Sequence, residues 1–394
     1  MIKAGTAVYC VLKEENMRRA TLGITAIGIL ILALSAQAQW TTAKRLTWTD
    51  GDSYDPKIAV DSIGQVHVVW YDYTPGHTEI YHKKSTDGRT TWTPAKRITW
   101  SSSSSKYPAI AIDSSDRLYV VWKEDTIDGS EIYLKRSLDR GATWTAKWRL
   151  TYSGIISEWP DIAVDPADVI HLVWQDSTGE IFYSKSPDGI NWMLDKRLSW
   201  TSGLSKHPKM AIDASGGLHL VWQDNTPGEF NYEVYYKKST NAGNAWAPAK
   251  RLSWLEDGSY RPDLAVDPSG DLHLVWYDEN PSLYRVYYKK STDSGAAWTA
   301  ARRLSFEDGW TAYPCLAVDS TGHLHVVWED PNGELSYRKS ADSGDTWTAV
   351  QRLTWLPGAA WDPQIVADSS GNLHLVWGDD TPPNREIYYK KYVD

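Results

Sequence analysis

Seven residues share one place in a repeat yet differ in chemistry: Asp55, Tyr107, Trp159, His207, Arg261, Tyr313 and Asp362 each stand immediately before a proline. Carboxylates, aromatic faces, an imidazole and a guanidinium at equivalent scaffold positions are what a ligand-reading surface shows, because loops on a rigid frame can change without cost to the core. Tyr54, Tyr260, Trp310 and Trp361 lie close by in sequence. Aromatic platforms beside carboxylates suit sugar rings, whose C–H faces stack and whose hydroxyls donate hydrogen bonds. The expected ligand-contacting set is Tyr107, Trp159, His207, Arg261, Tyr313 and Trp361. Ordinary solvated loop tips would vary in the same way, so both readings stand at this point.

Other chemically capable residues recur once per repeat. An acid stands two residues after each of seven tryptophans: Asp72, Glu124, Asp176, Asp224, Asp278, Asp330 and Asp379. An aromatic ends each outer segment: Trp48, Trp100, Tyr152, Trp200, Trp254, Phe306 and Trp355. Catalysis needs a group once, whereas a scaffold needs it in every repeat. The acids are therefore expected to bond loop amides, and the aromatics to pack between repeats. His67, His171, His219, His273, His325 and His374 share a position taken by Tyr119 in the second repeat. One histidine per repeat is too dispersed to converge on an ion, and neither a His-Glu-x-x-His motif nor a cysteine pair is present, so no metal or cofactor is expected. Arg45, Arg97, Arg149, Arg197, Arg251, Arg303 and Arg352 read as outer-strand charges that blunt a sheet edge.

The element that must position these groups is the stretch Asp55-Pro-Lys-Ile-Ala-Val-Asp-Ser-Ile-Gly-Gln-Val-His-Val-Val-Trp70. Its variants end at Trp122, Trp174, Trp222, Trp276, Trp328 and Trp377, at steps of 52, 52, 48, 54, 52 and 49 residues. A period of about 50 residues with short alternating segments marks a β-propeller. In the first full repeat, strand A is expected over 57–61, B over 65–72, C over 79–85 and D over 92–100. The fold class is all-β: a seven-bladed propeller of four-stranded antiparallel blades. Passing up and down four strands puts the D–A and B–C loops, with the variable residues, on one face.

Strands C and D are joined by Ser85-Thr-Asp-Gly-Arg-Thr-Thr-Trp92, repeated as Ser137-Leu-Asp-Arg-Gly-Ala-Thr-Trp144 and in four further copies. Asp accepts amide bonds inside its own turn, Gly takes a positive φ, and Trp packs back on the hairpin. This motif resembles the Asp box (Ser-x-Asp-x-Gly-x-Thr-Trp) of bacterial-neuraminidase repeats, over residues 40–394, and so implies a sialidase-like propeller. Sialidases similar in repeat content hold a substrate carboxylate with three arginines and use a Tyr nucleophile activated by Glu, an Asp acid/base and a Phe/Tyr-Arg-Ile-Pro motif. Tyr260-Arg261-Pro262 matches that motif without its Ile and equally fits the repeat's own Tyr-x-Pro. Arg261, Arg285 and Arg385 are the arginines that sialidase activity would use. No blade carries an insertion that singles out a Tyr/Glu pair. The preferred expectation is a binding or interaction module for carbohydrate or a cell-surface protein; sialidase or another glycoside hydrolase, and a structural envelope propeller, are the alternatives.

The ends of the repeat are complementary. The seventh copy stops after Glu386-Ile-Tyr-Tyr-Lys-Lys391, whereas Trp40-Thr-Thr-Ala-Lys-Arg-Leu-Thr-Trp48 matches the D segment Trp92-Thr-Pro-Ala-Lys-Arg-Ile-Thr-Trp100. The N-terminal strand is thus expected to complete the last blade, with Asp394 at a motif Asp position. Residues 1–38 read as a signal peptide: Arg18 and Arg19, an apolar run from Thr21 to Ser35, then Ala36-Gln37-Ala38, with Met17 a possible true start. Residues 39–394 are expected to form one exported, monomeric domain, periplasmic or extracellular, without membrane insertion after cleavage. Losing 1–38 removes four basic and two acidic residues, moving the formal charge from −9 to −11, which disfavours nucleic acid as a partner. Cys10 departs with the signal, and Cys315 is expected to be a buried, inert thiol.

Overall fold

The computed structural model describes residues 39–393 apart from loop positions 75, 88–89, 153, 227, 229–230, 255–257, 281–282, 308 and 382. The expected signal segment, Cys10 and Asp394 lie outside the described residues. Among these residues there are strands and turns and no helix, gathered into seven antiparallel sheets. The first full blade runs Ser53–Val60, Val66–Asp72, Glu79–Lys84 and Lys96–Arg97, and five others repeat this order. In the last, Ala360–Ala367, Leu373–Asp379 and Glu386–Val393 are joined by Gln39–Trp40 and Lys44–Arg45. Gln39 pairs with Val393, Trp40 with Tyr392, Lys44 with Tyr389 and Arg45 with Tyr388. The expected closure is present.

Two strand boundaries differ from the sequence expectation. Strand A begins at Ser53 rather than Lys57, and only Lys96–Arg97 of the expected 92–100 stretch joins the ladder. The alternation that marks a strand continues through the outer segment, but beyond Lys96–Arg97 the backbone makes only isolated bonds, such as Thr93 N–H to the Lys84 carbonyl at 2.9 Å and Ile98 N–H to the Ile80 carbonyl at 2.8 Å, and side chains make the other contacts. Arg97 bonds Glu79, and Thr99 donates its hydroxyl to the same carboxylate and accepts the Ile80 amide.

The core lies between blades. Each strand-B Trp is at most 3 % exposed. Trp122 packs with Val120 of its own blade and with Val69, Ile80 and Ile98 of the preceding one. Burying such a side chain contributes roughly 2–3 kcal/mol, so the ring is stabilised blade by blade. The hairpin turns behave as their composition requires: Asp139 accepts the Thr143 amide at 2.7 Å, and Ser137 Oγ accepts the Gly141 amide at 2.7 Å.

These turns also dock on the preceding blade, and there glycine is required. At Gly295 φ is +79°, and a Cβ would overlap the Tyr236 hydroxyl of the blade before. At Gly270 φ is +88° and the same Cβ would meet open space. Gly270→Ala should therefore cost only the left-handed conformation, about 1–2 kcal/mol, while Gly295→Ala adds steric overlap and should cost about 3–4 kcal/mol. Urea denaturation of the two variants checks this; equal losses would show that the docking contact yields freely.

Candidate functional site

The seven variable residues are brought together by one local irregularity. Each strand A slips register around its X-Pro step, for instance between Glu158 and Asp161 and between Tyr260 and Asp263. The residue before the proline is left-handed in every blade, with φ of 49° at Asp55, 54° at Tyr107, 53° at Trp159, 52° at His207, 48° at Arg261, 49° at Tyr313 and 51° at Asp362. Bulky residues take this conformation at a cost of roughly 1–3 kcal/mol each, and it persists where surrounding structure enforces it. A bulge of this kind re-aims a side chain. Here all seven point into one central cavity.

The residues that enforce the bulge escaped the sequence reading. Gln175 Oε1 accepts the His207 amide at 2.8 Å, Gln223 Oε1 the Arg261 amide at 2.9 Å, and Glu329 Oε1 the Asp362 amide at 2.8 Å. Each stands directly after a strand-B Trp and reaches into the next blade. In the other blades Tyr71, Lys123, Tyr277 and Gly378 hold this place. The available signal was variation at a second position, flanked by a Trp and an acid that scarcely change.

The cavity measures about 90 Å³ and is lined by the seven variable residues, five of their prolines, Lys57, Lys209 and Gln364. Tyr107 stacks on Trp159 at 3.9 Å between centroids, His207 meets its edge at 4.5 Å, and the Arg261 guanidinium lies 4.6 Å from the Trp159 ring and 5.1 Å from Tyr313. Arg261 reaches across the funnel and makes no ion pair with a carboxylate among the described residues. Trp159 thus has Tyr107, His207 and Arg261 packed around its ring. The cavity is smaller than the roughly 300–1,000 Å³ of a whole-ligand pocket. It admits a substituent, not a complete pyranose.

The funnel is electrostatically divided. Burial, with Asp55 next in weight, pushes the Asp362 carboxyl up, and burial beside Asp362 pushes Glu329 well up. Asp55 itself pairs with Lys57 at 2.5 Å. Burial and the nearby Arg261 hold His207 well below the usual imidazole range, so it is neutral. Deeper down, burial would lower Lys209, but Asp161, 3.1 Å away, and Asp263 hold its ammonium above the usual range. Cys315 is buried and its thiol pushed up, as expected of an inert group.

Trp361, Arg285 and Arg385 do not enter this cavity. Arg385 is clamped by Asp380 at 2.6 Å, lies over Tyr54 and Trp361, and shares Asp380 with the Trp361 indole. Arg285 stands opposite Asp278, at the aligned position that is Glu in the other blades, and its Nε is buried without a partner among the described residues. The three arginines therefore do not form one carboxylate clamp.

The repeated groups divide. The acids bond loops as expected: Asp72 accepts from Ser53 Oγ at 2.7 Å and from the Thr74 amide at 2.8 Å. The histidines form buried relays, such as Tyr183 to His171 at 2.8 Å and His171 to Asp165 at 3.1 Å. They resemble nucleophile triads but recur in five blades, inside the sheets, and no metal-binding cluster occurs among the described residues. Two expectations are corrected. The repeated arginines turn inward onto the strand-C glutamates, as in Arg149–Glu131 at 2.6 Å, because those carboxylates are buried and need a partner. The outer-segment aromatics do not pack between blades; they are 58–71 % exposed.

Solved structures similar to this chain share its architecture. A protein of unknown function from Dyadobacter fermentans is 13 % identical, with 89 % of this chain and 98 % of the other covered and a TM-score of 0.57. An ulvan lyase bound to a GlcA(1-4)Rha3S saccharide is 9 % identical, with 88 % and 95 % covered and a TM-score of 0.63. A leech intramolecular trans-sialidase complexed with 2,7-anhydro-Neu5Ac is 11 % identical, with 79 % and 70 % covered and a TM-score of 0.54. No protein-family model and no curated protein sequence matches the chain. At these identities the likeness is one of fold, and the fold is that of a sialidase-like seven-bladed propeller.

Proposed function

We propose that this protein is an exported carbohydrate-binding propeller that takes an acidic substituent of a glycan, a carboxylate or sulfate, into its central funnel. One observation carries the reading: Arg261 is held between Trp159 and Tyr313 inside the cavity, with no carboxylate in ion-pair contact among the described residues. A planar guanidinium held in position by aromatic faces is preorganised for two-point bonding to an anion. The size of the cavity fits the charged group alone, leaving the sugar ring on the mouth. Two of the similar folds were solved with saccharides containing acidic sugars, which supports the class of ligand.

Titration calorimetry with glucuronate-terminated, sialate-terminated and neutral oligosaccharides tests this. Binding is expected for acidic ligands, weakened about 10–100-fold by Arg261→Ala, in line with the loss of a charge-assisted hydrogen-bonded pair. Equal affinity for neutral and acidic ligands would sink the proposal.

A second reading, glycoside cleavage, rests on Asp362, whose raised carboxyl faces the funnel without a hydrogen bond to its side chain among the described residues. A carboxyl that holds its proton more tightly than usual is what a general acid needs. Turnover of a fluorogenic sialoside or release of reducing ends, abolished by Asp362→Asn, would favour this reading over binding alone.

A further inference from the structure

The seven exposed aromatics of the outer segments lie on the same face as the funnel mouth, at the D–A loops, and each has a cation behind it. An arginine three residues earlier approaches every ring, from 4.7 Å at Tyr152 to 5.9 Å at Trp254. In six stations a second cation comes from strand C of the next blade, as Lys83 does to Trp48 at 5.2 Å and Lys289 to Trp254 at 5.0 Å. The lysines are nearly buried and donate to a backbone carbonyl, Lys83 to Leu46 at 2.6 Å and Lys289 to Leu252 at 2.6 Å.

The two sets of cations differ in their compensation. Six of the arginines pair with a strand-C glutamate. The second cations have no carboxylate in ion-pair contact among the described residues. Two blades break the pattern in opposite directions. At Tyr152 the second cation is replaced by Ser184, leaving a compensated station. At Phe306 both Arg303, 5.0 Å away, and Arg338, 5.4 Å away, lack a carboxylate, because Arg285 stands where other blades have Glu.

On a chain of formal charge −9 this is a circle of apolar faces underlain by positive charge. Each second cation lies within about 6 Å of its ring, so it attracts an anionic group brought to the ring's solvent-exposed rim, an attraction through solvent that salt weakens. The stations are separate islands divided by polar loops, such as the serines at 101–104. Discrete, equally repeated platforms match a polymer of repeating units, whereas a bilayer or one protein partner favours a continuous apolar patch.

We propose that the rim of the mouth face is a multivalent docking surface for an acidic polysaccharide, whose sugar faces stack on the exposed aromatics while its anionic groups answer the cations behind them. This extends the glycan-binding reading from one central site to the periphery, and the two can fail separately. Individually weak stations gain through linkage along one chain, by about 10²–10⁴ in avidity when several engage together.

Native electrophoresis of the full chain through gels containing alginate, dextran sulfate or neutral dextran tests the rim. Retardation is expected in the two anionic polymers, at least about 10-fold stronger than in dextran, and weakened at least about 10-fold between 50 and 500 mM NaCl, as a multi-contact charge interaction requires. The Trp100→Ala/Trp200→Ala/Trp254→Ala variant should lose about 10-fold or more of this affinity with its melting temperature unchanged, and Arg261→Ala should keep it. Trp254→Ala alone, with a smaller loss, serves if the triple variant fails to fold. No retardation of the wild type, equal retardation in dextran, or full retention by the rim variants overturns the proposal. Loss in Arg261→Ala with intact rim variants returns binding to the funnel and overturns it too. Binding to phosphatidylserine vesicles without retention in polymer gels would assign the rim to membranes and equally overturn it.

Discussion

A chain beginning at Thr49 should fail to form a stable monomeric ring, whereas one beginning at Gln39 should melt cooperatively. Residues 39–48 carry little sequence but close the last blade. Leu46 is 1 % exposed and packs with Val66, Val68 and Trp70 of the first blade and with Val376, Ile387 and Tyr389 of the last. Its amide donates to Ile387 at 2.7 Å, and its carbonyl accepts Lys83 at 2.6 Å. Arg45 compensates Glu386, which is fully buried, at 2.5 Å. Losing Leu46 costs roughly 2–3 kcal/mol, and a buried carboxylate left without its partner roughly 3–5 kcal/mol. Together these approach the whole stability of a typical domain, about 5–15 kcal/mol. The deletion also exposes the Glu386–Val393 edge, which invites intermolecular pairing. Thermal melting and size-exclusion chromatography measure the effect, and a peptide spanning 39–50 added in trans should restore the transition. A melting temperature within a degree or two of the intact chain would show that the clasp is dispensable.

The architecture was legible because it is repeated. One blade's pattern of strand, turn and Trp is ambiguous, but seven copies in register, with a D segment at one end matching a gap at the other, leave one way to close a sheet. The site was half legible. Variation before the proline pointed to the seven funnel residues, yet nothing in the residue types announces that a left-handed bulge turns them inward, or that Arg261 crosses the funnel to pack against Trp159. Trp361 lies outside the cavity because its indole is engaged by Asp380 and its ring by Arg385, contacts that its place next to a funnel residue in sequence does not reveal. The aromatics at the ends of the outer segments were misjudged by equating repetition with burial. Their positions are repeated, but each outer strand has only two ladder residues, so the next blade covers the lysine and leaves the ring in solvent. Repetition marks a structural role for the lysine and arginine, and leaves the outer face of the aromatic open for another.

Acidification from pH 7 to 5 should destabilise the propeller, through its histidines. His67, His82, His171, His207, His219, His273, His325 and His374 are all held below the ordinary imidazole value, chiefly by burial. In the relays the neutral ring accepts a tyrosine hydroxyl at one nitrogen and meets an aspartate at the other, as at His325 with Tyr337 at 2.8 Å and Asp319 at 3.0 Å. A second proton would leave the Tyr hydroxyl facing N–H. The unfolded chain takes up these protons near pH 6.5 and the folded chain does not. Their stabilisation is therefore complete above about pH 6.5 and is lost as pH falls below it. Each excluded proton is worth at most about 1.4 kcal/mol per pH unit. Glu180, Asp195, Asp263, Glu329, Asp362 and Asp379 oppose the trend, because burial raises their carboxyls and protonation relieves the fold. Eight groups against six leave a net loss on the order of 2–4 kcal/mol by pH 5. Urea midpoints at pH 7, 6 and 5 read this directly, and His219→Gln, which keeps a hydrogen-bonding side chain without the titration, should flatten the pH slope by about one histidine's share. A midpoint that holds steady or rises toward pH 5 would mean that the relays accept protons within the fold.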